Sequence, residues 1–340
     1  MPAFHLQHLL NQKNIKHEYK GMKILVVGAA GQIGTELVPH LQKLYGEDNV
    51  IAADIRTDVV KKLSNTSRAL VLDATDPSNY AEVVRQHKVE RIYNLVALLS
   101  ATGEKNPQLA WRINMGALIN SLEIAREFNC ALFTPSSIGA FGKSTPHVKT
   151  PQDTIMRPNT MYGICKVSGE LLSDYYFERF GVDTRSVRFP GIISSGTLPG
   201  GGTTDYAVEV FYEIIKNRSY TCPIPANSFM DMLYMPDALK ACTDLMDADP
   251  SKLVHRNSFN ITAMSFSPEI LFAEIKKHLP EAQFNYQVDP VKAAIADSWP
   301  DSLDDTCARE EWGWEPEWYL ENMVTDMLRA IKDKFNSQSI

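Results

Sequence analysis

Residues 23–34 read KILVVGAAGQIG, a run of apolar residues that leads directly into a turn with three glycines. The continuous apolar run is typical of a strand that is buried on both faces of a parallel sheet. Gly28, Gly31 and Gly34 let the backbone bend sharply and approach a phosphate at the amino terminus of the helix that follows. A tight turn that binds no ligand is the alternative for the glycines taken alone.

Predicted strands and helices alternate from this turn to about residue 188. The later strands are predicted at 50–54, 69–73, 91–96, 131–134 and 183–188, and the helices between them at 79–87, 107–128 and 162–180. Strands that alternate with helices at this spacing favour an α/β fold with a Rossmann-type doubly wound parallel sheet.

The alternation loosens after residue 188, where a glycine-rich stretch at 199–204 predicts a flexible loop. Helices are predicted at 205–216, 236–246, 268–278 and 317–334, and short strands at 259–261 and 284–288. We therefore predict three parts: an N-terminal extension (1–21), a Rossmann domain (22–188), and a smaller C-terminal α/β substrate lobe (189–340) interleaved with that domain.

The composition is that of an ordinary globular protein, because 44% of the 340 residues are hydrophobic and 22% are charged. A net charge of −7 argues against nucleic acid or an anionic membrane surface as a partner. No apolar run approaches the roughly 20 residues of a membrane span. Five cysteines without a C-x-x-C pair favour reduced thiols and a reducing compartment.

Acidic residues end two of the predicted strands. Asp54 can accept hydrogen bonds from both hydroxyls of an adenosine ribose and repels a 2′-phosphate, which favours NAD over NADP. Arg56 would weaken that preference, because it attracts the phosphate. Asp73 could meet the adenine amino group, although an Asp at such a position more often caps a turn.

Tyr162 and Lys166 are four residues apart at the start of a predicted helix, so their side chains share one face. Positive charge near the phenol favours its ionised form, which makes Tyr162 a candidate general base. Ser136 and Ser137 follow the fifth predicted strand, at the sheet edge where ligands bind in open α/β folds. A serine hydroxyl there would hold the substrate oxygen that Tyr162 deprotonates. Exposed helix residues and turn serines are the alternatives for each feature alone.

The glycine turn, Asp54, the serines, Tyr162 and Lys166 occur in an order that resembles the extended short-chain dehydrogenase/reductase family, over about residues 22–334. The resemblance implies an enzyme that uses NAD, with Ser137, Tyr162 and Lys166 as its catalytic set. The implied cofactor contacts are Gly28, Gly31, Gln32, Ile33, Gly34, Asp54, Ile55, Arg56, Asp73, Ala74, Leu95, Ala97, Tyr162, Lys166 and Ile192.

Four stretches resemble the members of that family that oxidise the small molecule L-threonine: 98–107, 188–194, 200–207 and 298–314. The implied reaction converts L-threonine to 2-amino-3-oxobutanoate by hydride transfer from carbon 3, with Tyr162 as general base. The implied substrate contacts are Ser137 and Tyr162 at the hydroxyl, Ser100, Thr102, Thr203 and Thr204 at the carboxylate, and Asp205 at the ammonium group. Solvated loop residues are the alternative for these last five.

Two other functions stay open at this point. A nucleotide-sugar epimerase or dehydratase on the same scaffold would need a pyrophosphate-binding arginine in the second half, for which Arg218, Arg256 and Arg309 are candidates. A redox-sensing protein that binds NAD without catalysis is the other, and the presence of both Tyr162 and Lys166 counts against it.

No metal is expected, because the eight histidines form no H-x-E-x-x-H motif and no Cys/His cluster along the sequence. The family resemblance implies a homodimer built from the helices at 107–128 and 162–180, although a monomer would bury the same apolar stripes on the sheet. It implies mitochondria for a eukaryotic chain, whereas a bacterial chain would be cytoplasmic. The basic stretch 1–21 is compatible with a targeting segment and with an ordinary extension.

Overall fold

Six parallel strands form the central sheet of the protein, in a computed structural model that describes residues 21–63, 68–198 and 202–337. These strands are β1 (Ile24–Val27), β2 (Val50–Asp54), β3 (Arg68–Val71), β4 (Arg91–Asn94), β5 (Ala131–Phe133) and, beyond the separate β6 (Ser136–Ser137), β7 (Thr184–Arg185). Their spatial order is β3-β2-β1-β4-β5-β7. The direction of winding reverses beside β1, which leaves a crevice for ligands at the carboxyl ends of the strands. The predicted Rossmann-type α/β fold is confirmed.

Helices connect the strands and continue through the second half of the chain. They are α1 (Gln32–Tyr45), α2 (Thr57–Leu63), α3 (Pro77–His87), α4 (Ser100–Lys105), α5 (Pro107–Phe128), α6 (Met161–Phe180), α7 (Tyr206–Asn217), α8 (Met235–Asp247), α9 (Pro268–His278), α10 (Pro290–Ala296), α11 (Thr306–Trp312) and α12 (Leu320–Ser337). Within the described ranges, no helix is both long and apolar enough to cross a membrane. Of the predicted N-terminal extension and the predicted loop, residues 1–20 and 199–201 lie outside those ranges.

Alternate side chains of β1 enter two different hydrophobic cores, because successive residues of a strand point to opposite faces. Ile24 and Val26 pack with α1 and α8, whereas Leu25 and Val27 pack with α3 and α5. All four side chains are fully buried. The continuous apolar run therefore reflects helices on both faces of the sheet.

The prediction of a single strand at 183–188 is wrong, because the chain changes sheets in the middle of that stretch. β7 pairs with β5 in the central sheet, whereas β8 (Val187–Phe189) pairs with β6 and with β12 (Phe259–Asn260). Hydrogen bonds to Ser186 cause the change: its Oγ accepts one from Ser258 N at 2.6 Å, and its carbonyl oxygen accepts one from Phe259 N at 3.1 Å. The serine-bearing β6 thus lies in a small second sheet beside the central one.

The third strand ends two residues earlier than predicted. Its last pairing joins Val71 to Asp54. Asp73 begins a turn instead, where its Oδ1 accepts hydrogen bonds from Thr75 N at 2.8 Å and Thr75 Oγ1 at 2.7 Å. A side chain that binds nearby backbone in this way competes with the strand ladder, so the edge strand stops before it.

The second half of the chain contributes two further small sheets. β9 (Gly191–Ile193), β11 (Met230–Tyr234) and β13 (Met264–Phe266) form one, and β10 (Ser219–Cys222) pairs in parallel with β14 (Gln283–Tyr286) to form the other. A separate hydrophobic core joins these strands to α7, α9 and α12. β9, β10, β11 and β13 were not predicted, because strands of three to five residues are too short for their pattern to stand out from loop sequence.

Two buried arginines bind the carboxyl end of α8 and attach it to the central sheet. Arg91 in β4 forms an ion pair with Asp247, with 2.8 Å between Nη1 and Oδ1. Arg185 in β7 donates to the carbonyl oxygens of Leu245 and Ala248. The last carbonyl groups of a helix have no partner within the helix, so these guanidinium donors satisfy them.

Asp231 is a buried carboxyl group in β11 whose ionisation opposes folding. Its Oδ1 accepts a hydrogen bond from Thr262 Oγ1 at 2.5 Å and its Oδ2 accepts one from Leu303 N at 2.7 Å, but burial raises the pKa of Asp231 to about 8. In the unfolded chain the ordinary value is about 4. Between these two values the folded protein binds the extra proton, so the free energy of unfolding falls as the pH rises through this window.

We expect Asp231→Asn to remove this part of the pH dependence, which amounts to at most about 1.4 kcal/mol per pH unit. Urea unfolding of the wild type and the variant from about pH 5 to about pH 8 provides the comparison. Asp297→Asn, at an exposed position, is the control with the same change of charge. Parallel stability curves for the wild type and Asp231→Asn would contradict the assignment.

Candidate active site

A cavity of about 190 Å³ opens at the carboxyl ends of the central strands. Its lining comes from the first two residues of α1, the ends of β4 and β5, β6, the first half of α6, and the turn at 203–205. The carboxyl ends of parallel strands meet at one edge of a sheet, so both halves of the chain reach this site. The predicted residues that line it are Gln32, Ile33, Leu95, Ala97, Ser100, Ser137, Tyr162, Lys166, Ile192, Thr203, Thr204 and Asp205.

The glycine turn has the shape that a pyrophosphate requires. Gly28 has a φ of +82°, and a Cβ on Gly34 would lie 2.5 Å from Gly28 O and 2.7 Å from Ala29 Cα. Only glycine fits where backbone atoms approach so closely. Gly31 precedes α1 and offers no side chain to cap the helix. The N–H groups of the first turn are therefore left for an anionic group, and these residues fit the phosphates of a dinucleotide.

Asp54 joins the end of β2 to the glycine turn. Its Oδ2 accepts a hydrogen bond from Ala30 N at 2.9 Å, and its Oδ1 accepts one from Arg56 N at 3.0 Å. The Arg56 guanidinium lies against the same carboxylate, with 3.3 Å between Nε and Oδ1, and donates to Ala30 O. These contacts hold an acid beside the phosphate-binding turn, where the ribose of a dinucleotide lies in doubly wound folds.

Gly28, Gly31, Gly34, Asp54 and Arg56 do not line the cavity, and neither do the remaining predicted cofactor residues of this edge. Ile55 is exposed after β2, Ala74 is buried after β3, and Asp73 is held by Thr75 in the turn-capping arrangement. Because β3, β2 and β1 are neighbours, these residues follow the sheet edge that begins at the glycine turn. Asp73 therefore has a structural contact with Thr75, and its contact with the adenine amino group stays a prediction.

Ser137, Tyr162 and Lys166 converge on one wall of the cavity. A Cβ on Gly139 would lie 3.0 Å from Tyr162 Cε1 and 3.5 Å from Ser137 Oγ. The Tyr162 ring and the Ser137 hydroxyl therefore both lie next to Gly139. Lys166 Nζ lies 5.4 Å from the centre of the Tyr162 ring and donates to Pro135 O at 2.6 Å. A hydroxyl, a phenol and an ammonium group from separate parts of the sequence thus share one site.

The start of α6 fixes two of these side chains. Thr160 precedes the helix, and its Oγ1 accepts a hydrogen bond from Gly163 N at 3.1 Å. Such a cap stabilises the first turn of a helix, which carries Tyr162. Lys166 follows one turn later on the same face. The predicted helix therefore directs both groups to the cavity.

Glu170 is a buried residue of the site that the sequence analysis missed. It lies one turn beyond Lys166 on α6 and lines the cavity. Its carboxylate accepts hydrogen bonds from Arg188 Nε at 3.1 Å, from Arg188 Nη2 at 2.9 Å, and from the Ser136 hydroxyl. The spacing of four residues from Lys166 was the available signal. The ion pair attaches α6 to β8, and the hydrogen bond from Ser136 attaches it to β6.

Asn114 and Trp299 also line the cavity, and neither was predicted to contact a ligand. Asn114 binds the backbone of Leu98 twice, accepting from its N at 2.7 Å and donating to its O at 3.1 Å. It thereby shapes the segment that leads to Ser100. Trp299 belongs to a small hydrophobic cluster with Ile138 and gives the cavity an apolar wall.

The residues predicted to bind the substrate carboxylate divide into two groups. Ser100, Thr203 and Thr204 line the cavity, whereas Thr102 is exposed on α4 and does not. Residues two apart on a helix do not share a face, which explains why Ser100 and Thr102 differ. Thr203 is 2% exposed, and its hydroxyl has no hydrogen-bond partner in the part of the chain that the structure describes. A buried hydroxyl left unpaired is suited to a ligand oxygen.

The three arginines considered for a nucleotide-sugar pyrophosphate point to other partners. Arg218 pairs with Glu281 at 3.3 Å, Arg256 with Asp183 at 2.5 Å, and Arg309 with Asp305 at 2.8 Å. None of the three lines the cavity. The site therefore lacks the group on which that alternative depended.

Comparisons with known proteins agree on the family. The NAD dependent epimerase/dehydratase family matches residues 24–262. An uncharacterized epimerase/dehydratase of Staphylococcus haemolyticus is 53% identical over 312 residues, which cover 92% of this chain and 98% of that protein.

Solved structures give the same result. The L-threonine dehydrogenase of Clostridium difficile superposes with a TM-score of 0.90 at 52% identity, over 93% of this chain and 99% of that one. A monomeric L-threonine 3-dehydrogenase from a metagenome gives 0.86 at 42% identity, over 91% and 99%. The predicted family and cofactor are confirmed. This chain belongs to the NAD-dependent epimerase/dehydratase family of extended short-chain dehydrogenase/reductases and is an NAD-dependent oxidoreductase.

Proposed function

We propose that the protein oxidises L-threonine at carbon 3 to 2-amino-3-oxobutanoate. The observation that carries this proposal is the shared cavity, which holds the unpaired hydroxyl of Thr203 together with Ser137 and Tyr162. A substrate with a hydroxyl at one end and a carboxylate at the other matches both groups. The similarity to solved L-threonine dehydrogenases supports the choice of substrate.

The three convergent side chains have separate roles in the proposed reaction. Ser137 binds the 3-hydroxyl of threonine and orients it towards the phenol. Tyr162 accepts the hydroxyl proton as general base. Lys166, beside the Tyr162 ring, provides the positive charge that favours the phenolate. NAD, when bound, accepts the hydride that leaves carbon 3.

The amino-acid end of the substrate is assigned to Ser100 and to the turn at 203–205. Ser100, Thr203 and Thr204 bind the carboxylate, and Asp205 faces the ammonium group. Asp205 also accepts a hydrogen bond from Gly202 N at 2.6 Å, which holds the turn that carries the two threonines. Thr102, outside the cavity, is left out of this set.

The cavity favours a small substrate over a nucleotide sugar. The arginines that a second pyrophosphate would need are paired elsewhere. Binding of NAD without catalysis is disfavoured as well, because Tyr162 and Lys166 face the same cavity.

We propose a homodimer formed by the outer faces of α5 and α6. α5 exposes Trp111 and Ile119, and α6 exposes Leu171 and Tyr175, the latter two at 61% and 51%. Each pair has helical spacing, so the four side chains form one apolar surface on two helices that pack together. A second copy would bury it.

A bacterial setting is proposed for the protein, since the similar proteins from Staphylococcus and Clostridium are bacterial. That setting places the reaction in the cytoplasm, where five free cysteines stay reduced. These relatives give no support to the mitochondrial alternative.

Tyr162→Phe tests the general base. We expect turnover of L-threonine with NAD to fall by about 10²–10⁴-fold, because positioned proton transfer contributes on that scale. The affinity for NADH, measured by fluorescence titration, should change little. Tyr319→Phe removes an exposed phenol outside both the cavity and the proposed dimer surface and is the matched control. Retained turnover in Tyr162→Phe would exclude it as the base.

Asp54→Asn tests the ribose contact. Hydrogen bonds to a charged group contribute about 1.5–3 kcal/mol, so the affinity for NAD should fall by roughly 10–100-fold. The affinity for NADP should fall by less, so the ratio of the affinities for NAD and NADP should decrease. Calorimetric titration of both gives the ratio, and Asp48→Asn, exposed just before β2, controls for the lost charge. An unchanged ratio would count against Asp54.

Leu171→Glu tests the dimer. A carboxylate in the centre of the apolar surface would be desolvated by a second copy, so light scattering should show the mass of one chain instead of two. Val291→Glu places the same charge at an exposed apolar position on α10 and should leave the mass unchanged. A wild-type protein with the mass of one chain would overturn the proposed assembly.

A further inference from the structure

A second group of reactive side chains lies away from the cavity. His255, Cys307 and Glu311 each offer one ligand atom, and these atoms all lie within 4.8 Å of one another. Within the described ranges this is the only group of three or more His, Cys, Asp or Glu side chains placed to hold a metal ion. The sequence showed no such cluster, because His255 is far from the other two along the chain.

Two short elements bring the three side chains together. Cys307 and Glu311 are four residues apart on α11, so they share one face of that helix. His255 belongs to the loop before β12. Glu311 holds this loop, because its Oε2 accepts hydrogen bonds from Val254 N at 2.6 Å and from His255 N at 3.0 Å. The other oxygen, Oε1, lies against His255 Nδ1.

The imidazole of His255 is fixed from two further sides. Its Nε2 lies 3.5 Å from Asp153 Oδ2, and its ring packs edge-on against Phe259 with 6.0 Å between centroids. A carboxylate on the second ring nitrogen is the arrangement that orients metal-binding histidines. The geometry therefore directs Nδ1 towards Glu311 and Cys307.

The surroundings are suited to a cation. Burial and, after it, the carboxylates of Glu311, Asp153, Asp304 and Glu310 raise the pKa of the Cys307 thiol, so negative charge surrounds this sulfur. Cys307 is also the one cysteine of the five that is not fully buried. An accessible sulfur beside an imidazole and several carboxylates is the donor set that borderline-soft divalent ions prefer.

We propose that His255, Cys307 and Glu311 bind a divalent transition-metal ion of the zinc class. Zinc takes sulfur at about 2.3 Å and nitrogen or oxygen at about 2.0–2.2 Å in tetrahedral sites, so the observed spacing needs only small side-chain shifts. Cys307 binds as the thiolate and releases its proton on binding, and His255 donates the lone pair of Nδ1. The fourth position takes water.

The bound ion would connect α11 to the loop before β12. β12 pairs with β8, which in turn pairs with the serine-bearing β6. The site would therefore stabilise the sheet that supports the cavity, while it contributes no group to the reaction itself.

Cadmium(II), which binds as zinc does but gives an ultraviolet thiolate charge-transfer band, is the probe. Full-length protein treated with EDTA should bind one cadmium ion per chain with this band, and its melting temperature should rise with the metal concentration. Cys307→Ser should abolish the band. Asp153→Asn should weaken binding by about 10–100-fold, as the loss of an orienting partner does.

Glu311→Gln and Glu310→Gln form a matched pair, because both remove one charge from α11 and only Glu311 is a proposed ligand. Glu311→Gln should weaken cadmium binding far more than Glu310→Gln does. NADH binding checks that each variant is folded. A band that survives in Cys307→Ser, or binding without a band through His5, His8 and His17, would overturn the proposal; so would no binding at all.

Discussion

The buried ion pair between Glu170 and Arg188 is the constraint on which the arrangement of the site depends. Two nitrogens of the guanidinium bind the carboxylate, so the pair fixes orientation as well as distance. Loss of either partner would leave an unpaired buried charge, at a cost of about 3–5 kcal/mol. Because Glu170 lies on the helix of Tyr162 and also binds Ser136, the phenol and the serine strand are held together without any ligand.

The two halves of the chain contribute different groups to the site. The first half offers backbone groups, at the glycine turn and the start of α1, and one acid at the end of β2. The candidate catalytic residues Ser137, Tyr162 and Lys166 also come from the first half, and the second half adds Thr203 and Trp299 to the lining of the cavity. The change of sheets at Ser186 connects the halves, because β8 leaves the central sheet to support the serine strand.

Local patterns in the sequence were sufficient for much of this structure. The helix predicted at 107–128 has those bounds, and the glycine turn lies where the apolar run ends. What the sequence did not show depends on partners far along the chain. Ser258 binds Ser186 and interrupts the strand predicted at 183–188. Arg188 forms its ion pair with Glu170, and His255 lies beside Cys307, only once the chain has folded. Thr102 lies outside the cavity for a simpler reason, since the helical conformation of 100–105 was not predicted.

In the proposed reaction, the unpaired hydroxyl of Thr203 would make the cavity selective for a compound that brings an oxygen to it. Its desolvation is already complete in the free protein, within the described part of the chain. A compound whose oxygen forms a hydrogen bond with this hydroxyl would offset its desolvation cost of about 1–3 kcal/mol. An isostere with a methyl group at that point would offset none of it. The proposed site would therefore discriminate by roughly 5–150-fold against a substrate analogue that lacks this oxygen.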